Sequence, residues 1–298
     1  PKAYAKKFAN RKIIEFDDKI SISETVNIAY ALRTDLRNNS GYTMEECQVS
    51  TSDKLNKILQ DDCATEIEAL VFGLWTDDGI FASIINALVA ANEKLTNLKA
   101  IFIGDTKNSE WISPIAPSNL SRILEAYPNL EVLQVCGSNR YQEYVWLKFT
   151  PPLTHKNLKA LIVESGGLSH QSINHICKLE LPALEYLELW LGSDYYGGDS
   201  SISDLMPIIS GAFPKLKYLG LRNSGYSNNI AFAIANSSII ENLVELDLSI
   251  GTLNDDGAKA LLDCPVINSL DTLNISNNNV SNMMIQRLEQ LEIEVVSD

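Results

Sequence analysis

A pattern of three apolar positions, separated by two spacers and then by one, recurs along this chain of 298 residues. A single match arises by chance at about one site in ten in such an apolar sequence. Eight matches in series carry more weight, because they follow one another at intervals of 26 to 32 residues. The first apolar positions are Ile67, Leu98, Leu130, Leu158, Leu184, Leu216, Leu243 and Leu270. This period predicts a repeat protein, in which stacked units bury apolar faces that one unit alone leaves exposed.

Each repeat predicts a short strand followed by a helix. The last two apolar positions of a match, such as Leu187 and Leu189, alternate with polar ones and indicate the buried face of a strand. Between matches the apolar spacing becomes helical, as in DDGAKALLDCPVI (255–267). Asp255 and Asp256 stand where a helix begins, and carboxylates are favoured there. The predicted fold is therefore α/β, a solenoid of stacked strand–turn–helix units.

This pattern resembles the leucine-rich repeat, and the longer units resemble its ribonuclease-inhibitor subtype. LVELDLSIGTLNDDGAKALL (243–262) has that subtype's strand, loop and glycine-bearing helix start. Residues 67–298 also resemble an uncharacterised bacterial family of such proteins, through LELWLGSDYYGGD and KYLGLRNS among other stretches. The resemblance implies a right-handed, curved solenoid of about eight units with a C-terminal cap, in which a parallel sheet forms the concave side and helices lie mostly on the convex side. It also implies that the chain binds protein and has no enzymatic activity. The family's asparagine after the strand is matched only at Asn278, so we expect small residues to tighten the other turns.

Residues 1–66 lack the repeat, and we interpret them as a non-repeat N-terminal α/β cap that covers the open end of the solenoid. KIIEFDDKISIS (12–23) suggests one or two short strands. ETVNIAYALRTDL (24–36) and SDKLNKILQDDC (52–63) both have apolar residues at helical spacing. At the other end, QRLEQLEIEVVSD (286–298) predicts a last helix and a final strand.

Two segments depart from the regular unit. NRYQEYVWLKFTPPL (139–153) has strand periodicity where a helix is due, and it predicts an extended segment closed by two prolines. GDTKNSEWISPIAP (104–117) and SDYYGGD (193–199) belong to the longest units. Insertions in solenoids map to loops on one face, often the binding face, so we expect two long loops on the same rim.

Composition narrows the class of partner. The formal net charge is −14, which disfavours nucleic acid and favours a protein with a basic patch. No apolar run reaches the roughly 18 residues that a membrane helix needs, and the basic start lacks the apolar stretch of a secretory signal. Five scattered cysteines without a CxxC pair are typical of a reducing compartment. We therefore expect a cytoplasmic monomer that contacts neither nucleic acid nor membrane.

The side chains between the buried strand positions point outward on the concave face and form the predicted contact surface. Aromatic residues and arginine beside acids have the composition of protein-binding hot spots. The predicted partner contacts, including the loop after one strand, are Phe102, Tyr186, Glu188, Trp190, Asp194, Tyr195, Tyr196, Asp199, Tyr218, Arg222, Glu245 and Asp247. For the two adjacent tyrosines, packing against the next unit is an equally good interpretation. An unoccupied sheet face is the alternative for the strand residues.

The sequence contains no nucleophile elbow, Walker loop or dinucleotide-binding motif. We therefore expect no catalytic residue, no metal and no cofactor. HQSINHIC (170–177) places two histidines five positions apart, which is not one helical face. GSDYYGGD lacks the alternating oxygen ligands and closing glutamate of a calcium loop. The leading prediction is a non-catalytic protein-binding module, and an inhibitor or immunity protein that blocks a basic, toxin-like enzyme is its sharper form. A metal-dependent enzyme centred on Asp194 and Asp199, or a structural scaffold, remain as alternatives.

Overall fold

The computed structural model describes residues 4–17, 22, 25–33, 44–73, 80–105, 118–137 and 147–298. The chain divides into two compact units. The first comprises Pro1–Asn139 with Trp146–Thr150, and the second comprises Arg140–Val145 with Pro151–Asp298. Of the helices described in either unit, none is long and apolar enough to cross a lipid bilayer.

The described part of the first unit contains a sheet whose strands follow one another in chain order. Its first pair is antiparallel and every later pair is parallel. The strands of the unit are β1 (Lys7–Phe8), β2 (Arg11–Glu15), β3 (Ile28–Leu32), β4 (Ala69–Gly73), β5 (Ala100–Asp105), β6 (Ser118–Asn119), β7 (Val132–Gly137) and β8 (Leu147–Lys148). β6 and β8 lie outside the sheet and pair with each other in parallel. The helices are α1 (Met44–Gln60), α2 (Ile80–Ala90) and α3 (Ser121–Ala126).

The second unit repeats the same arrangement more regularly. Its strands are β9 (Leu153–Thr154), β10 (Ala160–Ser165), β11 (Leu179–Glu180), β12 (Tyr186–Gly192), β13 (Tyr218–Ser224), β14 (Glu245–Asp247), β15 (Thr272–Asn274) and β16 (Glu294–Val296). All of them except β9 and β11 form one parallel sheet, and those two pair separately. The helices are α4 (His170–Cys177), α5 (Ile202–Ile209), α6 (Ser227–Ala235), α7 (Asp255–Leu262) and α8 (Asn282–Leu288), each packed on the next.

The predicted strand periodicity is confirmed by the register of the second sheet. Leu187 on β12 pairs with Leu219 on β13, and Leu246 on β14 pairs with Leu273 on β15. All four are fully buried on one side of the sheet. Burying a leucine side chain contributes roughly 1.5–3 kcal/mol, so this ladder is a large part of the core. The polar residues between the leucines face the other side.

A small residue tightens the turn after β12, as expected. Gly192 has a φ of 69°, and a Cβ there would lie 1.9 Å from the carbonyl oxygen of Gly166. Asn278 joins its turn to that of the preceding repeat through its side-chain amide. Its side-chain amide donates to the carbonyl of Leu248 at 2.9 Å, and its Oδ1 accepts the N–H of Leu253 at 2.8 Å.

The helix expected over 24–36 is wrong, because Ile28–Leu32 form β3. All five residues are buried and pair with β2 on one side and β4 on the other. Tertiary burial on both faces overrides a short stretch of helical spacing. The helix expected over 52–63 is confirmed by α1, and the final helix and strand are confirmed by α8 and β16.

Strand pairing runs without a break from β2 through β3 to β4, across the proposed end of the N-terminal cap at residue 66. That boundary, and the count of about eight repeat units, stay predictions. The alternation predicted near residue 147 is present where it is described, since Leu147 and Phe149 are buried and Lys148 is exposed. Most of the loop expected at 104–117, and residues 139–146 of the extended segment, lie outside the described residues.

Candidate functional site

The side of the second sheet opposite the leucine ladder carries a cluster of aromatic and charged side chains. The parallel register places Tyr186, Glu188 and Trp190 on β12 beside Tyr218, Gly220 and Arg222 on β13. On β14, Glu245 lies beside Tyr218 and Asp247 lies beside Gly220. We call this surface the aromatic–acidic face, defined by Tyr186, Glu188, Trp190, Tyr218, Arg222, Glu245 and Asp247. The structure thus brings together seven of the predicted contact residues.

Glu188 lies at the centre of the aromatic–acidic face. Its Oε1 accepts hydrogen bonds from Trp190 Nε1 at 2.7 Å and from Arg222 Nη1 at 2.9 Å. Its Oε2 accepts from the Tyr186 hydroxyl at 2.7 Å and lies 3.3 Å from the Tyr218 hydroxyl. Glu188 is only 7% exposed, and its oxygens are occupied by donors of the same chain. Its carboxylate therefore orders the surrounding side chains, because no acceptor site is left open for a partner.

The two tyrosines of this face stack on each other because they occupy the same register position on neighbouring strands. The centroids of the Tyr186 and Tyr218 rings are 3.8 Å apart and the planes differ by 3°. Gly220 makes this packing possible, since a Cβ there would lie 2.9 Å from the Tyr218 hydroxyl and 3.1 Å from Glu188 Cγ. A side chain at that position would compete with the tyrosine for space above the sheet.

Arg222 links the acids to the indole ring. Its guanidinium lies 4.8 Å from the ring centre of Trp190 and donates to Glu188 and, through Nε, to Ser249 Oγ at 2.9 Å. Its Nε also lies 3.5 Å from Asp247 Oδ2. Burial alone would lower the pKa of Arg222, but the charges of Glu188 and Asp247 outweigh burial and raise it. The cation is thus held permanently between two buried carboxylates.

Asp247, which is 4% exposed, is satisfied in the same way as Glu188. Its Oδ1 accepts the N–H of Ser249 at 2.8 Å, and its Oδ2 accepts from Asn274 Nδ2 at 3.1 Å. The Tyr218 hydroxyl also lies 3.1 Å from Oδ2. Burial first, and then the charges of Glu188 and Asp247, raise the pKa of Tyr218 far above its usual range. The hydroxyl therefore stays protonated and bridges the two carboxylates.

Glu245 differs from Glu188 and Asp247 because it forms no ion pair among the described residues. It lies beside Tyr218 on β13, and across Thr272 on β15 from Glu294 on β16. Within the described part of the chain, neither Glu245 nor Glu294 forms an ion pair. Burial, and then the charges of Asp247, Glu188 and Glu294, raise the pKa of Glu245 above its usual range and outweigh the charge of Arg222, which lowers it. This edge of the face therefore carries a net negative charge.

The loop after β12 is a short 3₁₀ turn, Asp194–Tyr196, whose base is folded against a pair of glycines. The N–H of Ser193 donates to the carbonyl of Gly166 at 2.9 Å, and a Cβ on Gly167 would lie 2.4 Å from the carbonyl oxygen of Tyr196. The ring of Tyr196 packs against Gly166 in the turn of the preceding repeat, and not against the next unit as expected, and 39% of its surface stays exposed. Tyr195 is more exposed, at 71%.

Asp199 closes this loop through His170, the first residue of α4. The backbone N–H of His170 donates to Asp199 Oδ1 at 2.7 Å, and its ring Nδ1 lies 2.8 Å from Oδ2. Burial alone would raise the pKa of Asp199, but these contacts with His170 outweigh burial and lower it. Asp194 is exposed and accepts the N–H of Tyr195. The described residues contain no group of three or more His, Cys, Asp or Glu side chains placed to hold a metal ion.

Phe102 is separate from these residues and belongs to the first unit. It is 3% exposed because the ring of Phe8 covers it, with the two ring centroids 5.6 Å apart. The expectation that Phe102 faces outward into solvent is therefore wrong. The sequence reveals no such contact, since the two residues are 94 positions apart and Phe8 lies in a short segment without periodicity.

Sequence reasoning also missed three residues that build the aromatic–acidic face: Gly220, Ser249 and Asn274. Each lies between the buried apolar positions of its repeat, so an alignment of the repeats predicts that its side chain points to the same side of the sheet as Glu188. Their roles follow only from side-chain geometry. Gly220 makes room for Tyr218, Ser249 binds both Arg222 and Asp247, and Asn274 binds Asp247.

No protein-family model matches the chain, and no curated protein matches it significantly. A structural-genomics crystal structure of a Bacteroides fragilis protein superposes on it with a TM-score of 0.73 and 29% sequence identity, over 86% of this chain and 72% of that one. An internalin from Listeria monocytogenes is 15% identical over 78% of this chain and 80% of its own, but its TM-score of 0.28 does not establish a shared fold. The chain thus shares its fold with the Bacteroides fragilis protein, and the strand–turn–helix repeat fits a leucine-rich repeat architecture.

Proposed function

We propose that this chain is a non-catalytic protein-binding module of the leucine-rich repeat class, and that it recognises a protein with a basic patch. The contact surface is the aromatic–acidic face of the second unit together with the exposed Tyr195. In this proposal the binding surface is a sheet face, as expected for solenoids that expose one parallel sheet.

The net negative charge at Glu245 and Glu294 is the observation that carries this proposal. Glu188 and Asp247 form ion pairs with Arg222, whereas Glu245 and Glu294 form none among the residues described. A lysine or arginine of a partner would supply the missing cation over Thr272, which lies between the two glutamates. Relief of the repulsion between Glu245 and Glu294 would add to the binding free energy.

The aromatic residues of the face favour the same function. Trp190, Tyr186 and Tyr195 keep part or most of their surface in contact with solvent, and tryptophan, tyrosine and arginine dominate binding hot spots. Their positions are fixed in advance by the hydrogen bonds to Glu188. A preformed surface loses less side-chain entropy on binding, so more of its contact energy contributes to affinity.

A sharper form of the proposal is an inhibitor or immunity protein that blocks a basic, toxin-like enzyme in the bacterial cytoplasm. The net charge of −14 favours it, because opposite charge accelerates association with a basic enzyme. The resemblance of the longer repeats to the ribonuclease-inhibitor subtype is the other support. This form predicts that the captured partner loses its activity in the complex.

The experiment compares capture of proteins from a bacterial extract by three immobilised forms of the chain. The test form is Glu245→Gln with Glu294→Gln. The control is Glu241→Gln with Glu289→Gln, because both of these glutamates are exposed outside the sheet. Each double variant removes two of the 38 acidic residues, so both change the net charge from −14 to −12. Quantitative mass spectrometry then identifies proteins that depend on the face itself and not on total charge.

We expect at least one protein with a basic patch to be captured by the natural chain and by the control, and about tenfold less by the test form. Its capture should weaken as the salt concentration rises, because ion pairs at an exposed surface are screened. Equal capture by both double variants, or capture that salt does not affect, would refute the proposal.

A further inference from the structure

The first unit has a sheet face that is occupied by the chain's own N-terminal segment. Phe8 and, in part, Ala5 pack on one side of the sheet, and Phe8 is 5% exposed. The buried residues beneath it come from three successive strands, and they are Ala29, Ala31, Ala69, Val71, Ala100 and Phe102. The segment therefore fills the position that a ligand of this face would take.

The groove under the segment results from small side chains. Four of the residues beneath Phe8 are alanines, Ala29, Ala31, Ala69 and Ala100. Alanine projects only a methyl group, so the sheet surface there lies low enough to receive a ring from above. Phe102 forms one wall of the groove, with its ring tilted by 39° against the ring of Phe8.

The groove also binds the main chain of the segment. Asp105 Oδ1 accepts the N–H of Ala5 at 3.2 Å, and Arg33 Nη2 donates to the carbonyl oxygen of Ala5 at 3.0 Å. Arg33 and Asp105 form an ion pair and are both buried, which fixes these two groups in place. Main-chain hydrogen bonds together with a pocket for one side chain are typical of sites that recognise extended peptides.

The segment Tyr4–Phe8, which we call the arm, makes few backbone hydrogen bonds to the sheet. β1 pairs with β2 through Lys7 and Phe8, the carbonyl oxygen of Lys6 accepts the N–H of Ile13 at 3.0 Å, and the connecting turn is Ala9–Asn10. Both turn residues have positive φ, 47° and 60°, which asparagine tolerates but which costs alanine about 1 kcal/mol. Lys6 and Lys7 are exposed to solvent. Release of the arm would therefore relieve a strained turn while breaking few backbone pairs.

We propose that this face is a peptide-binding groove, filled by Tyr4–Phe8 of the same chain until an extended segment of a partner protein replaces it. The partner segment carries a large aromatic residue in the position of Phe8 and a small residue three positions before it, as Ala5 stands here. The site is distinct from the aromatic–acidic face, so it does not depend on the function proposed above.

The test uses a fluorescent synthetic peptide with the sequence of residues 1–10 as the probe. Its binding is measured by fluorescence anisotropy to the full chain and to the full-chain variant Phe8→Ala, in which the arm no longer fills the groove. We expect the variant to bind the peptide at least about tenfold more tightly than the natural chain, where the arm competes. A peptide with Phe8→Ala should not bind, whereas one with Lys7→Ala should bind like the parent.

A second variant keeps the proposal testable if Phe8→Ala does not fold. Ala5→Pro removes the N–H that Asp105 accepts and leaves the apolar groove intact, so it should also increase peptide binding. Failure of the peptide to bind either variant, when circular dichroism shows that the variant is folded, would overturn the proposal. A dimer of the natural chain that grows with concentration and excludes the peptide would overturn it too, because the arm would then be exchanged between two copies.

Discussion

The ring of Tyr186 lies on the ring of Tyr218 with a centroid separation of 3.8 Å, and both hydroxyls approach the same carboxylate oxygen of Glu188. The stack and the shared acceptor hold the two tyrosines in one arrangement. Stacked aromatic pairs contribute about 0.5–1.5 kcal/mol beyond the burial of their surface. The aromatic–acidic face is therefore ordered before any partner arrives, and its order can be tested by changing its parts one at a time.

Replacement of Arg222 should destabilise the chain strongly. In Arg222→Gln, the buried carboxylates of Glu188 and Asp247 lose their cation, and we expect the free energy of unfolding to fall by about 2–4 kcal/mol. Urea denaturation followed by circular dichroism measures the change. Arg287→Gln on the exposed side of α8 is the control and should change stability by less than about 0.5 kcal/mol. Equal effects of the two variants would show that the buried acids do not need Arg222.

A methyl group at residue 220 should disturb the tyrosine stack. In Gly220→Ala the new Cβ would meet the Tyr218 hydroxyl at 2.9 Å, so we expect a loss of about 1–3 kcal/mol. The matched control is Gly225→Ala, where nothing lies within 4 Å of an added Cβ. Thermal unfolding of both variants provides the comparison. The stated role of Gly220 fails if its variant is as stable as the control.

Ile250 is a β-branched residue in the left-handed backbone region, with a φ of 60°. Asn223 and Asn277 occupy the equivalent positions in neighbouring repeats with φ of 52° and 54°. Asparagine adopts this conformation readily, so Ile250→Asn should raise the free energy of unfolding by about 1 kcal/mol. Asn277→Ile should lower it by a similar amount. Chemical denaturation measures both changes. A loss of stability in Ile250→Asn would show that the left-handed backbone at residue 250 is not strained by isoleucine.

The charge of Glu245 should make stability depend on pH. Its pKa is raised in the folded chain, first by burial and then by Asp247, Glu188 and Glu294. A raised carboxyl pKa means that the folded state holds the proton more tightly, so the ionised group destabilises the fold once pH exceeds the ordinary glutamate pKa of about 4.3. Glu245→Gln should therefore increase stability at pH 7, by up to about 1 kcal/mol.

This gain should shrink as pH falls through the raised pKa and should be absent below the ordinary one, where the natural glutamate is itself neutral. Unfolding curves at several pH values measure it. Glu241→Gln, which changes an exposed residue outside the sheet, serves as the control and should show little gain at any pH. A gain for Glu245→Gln that is as large at pH 3 as at pH 7 would exclude electrostatic repulsion as the cause.

The sequence by itself determined the repeating framework. The spacing of apolar residues predicted which leucines are buried, the strand positions after residue 67 and the columns of outward-facing side chains, since each repeat supplies the same information independently. The register of β12 to β15 agrees with those columns. The weaker signal near residue 28 misled the prediction, because a five-residue strand buried on both faces has no alternation to distinguish it from a helix.

Only the tertiary structure decided which outward side chains meet solvent. Phe102 occupies an outward column, yet Phe8 covers it because the N-terminal arm folds back over the sheet. Glu188 and Asp247 also face outward, but side chains of neighbouring strands bury them. The carboxylate oxygens accept hydrogen bonds from those side chains, such as Arg222 and Asn274. Periodicity fixes the direction of a side chain relative to its own backbone. Exposure depends on contacts between residues that are distant in sequence, and those contacts leave no local pattern.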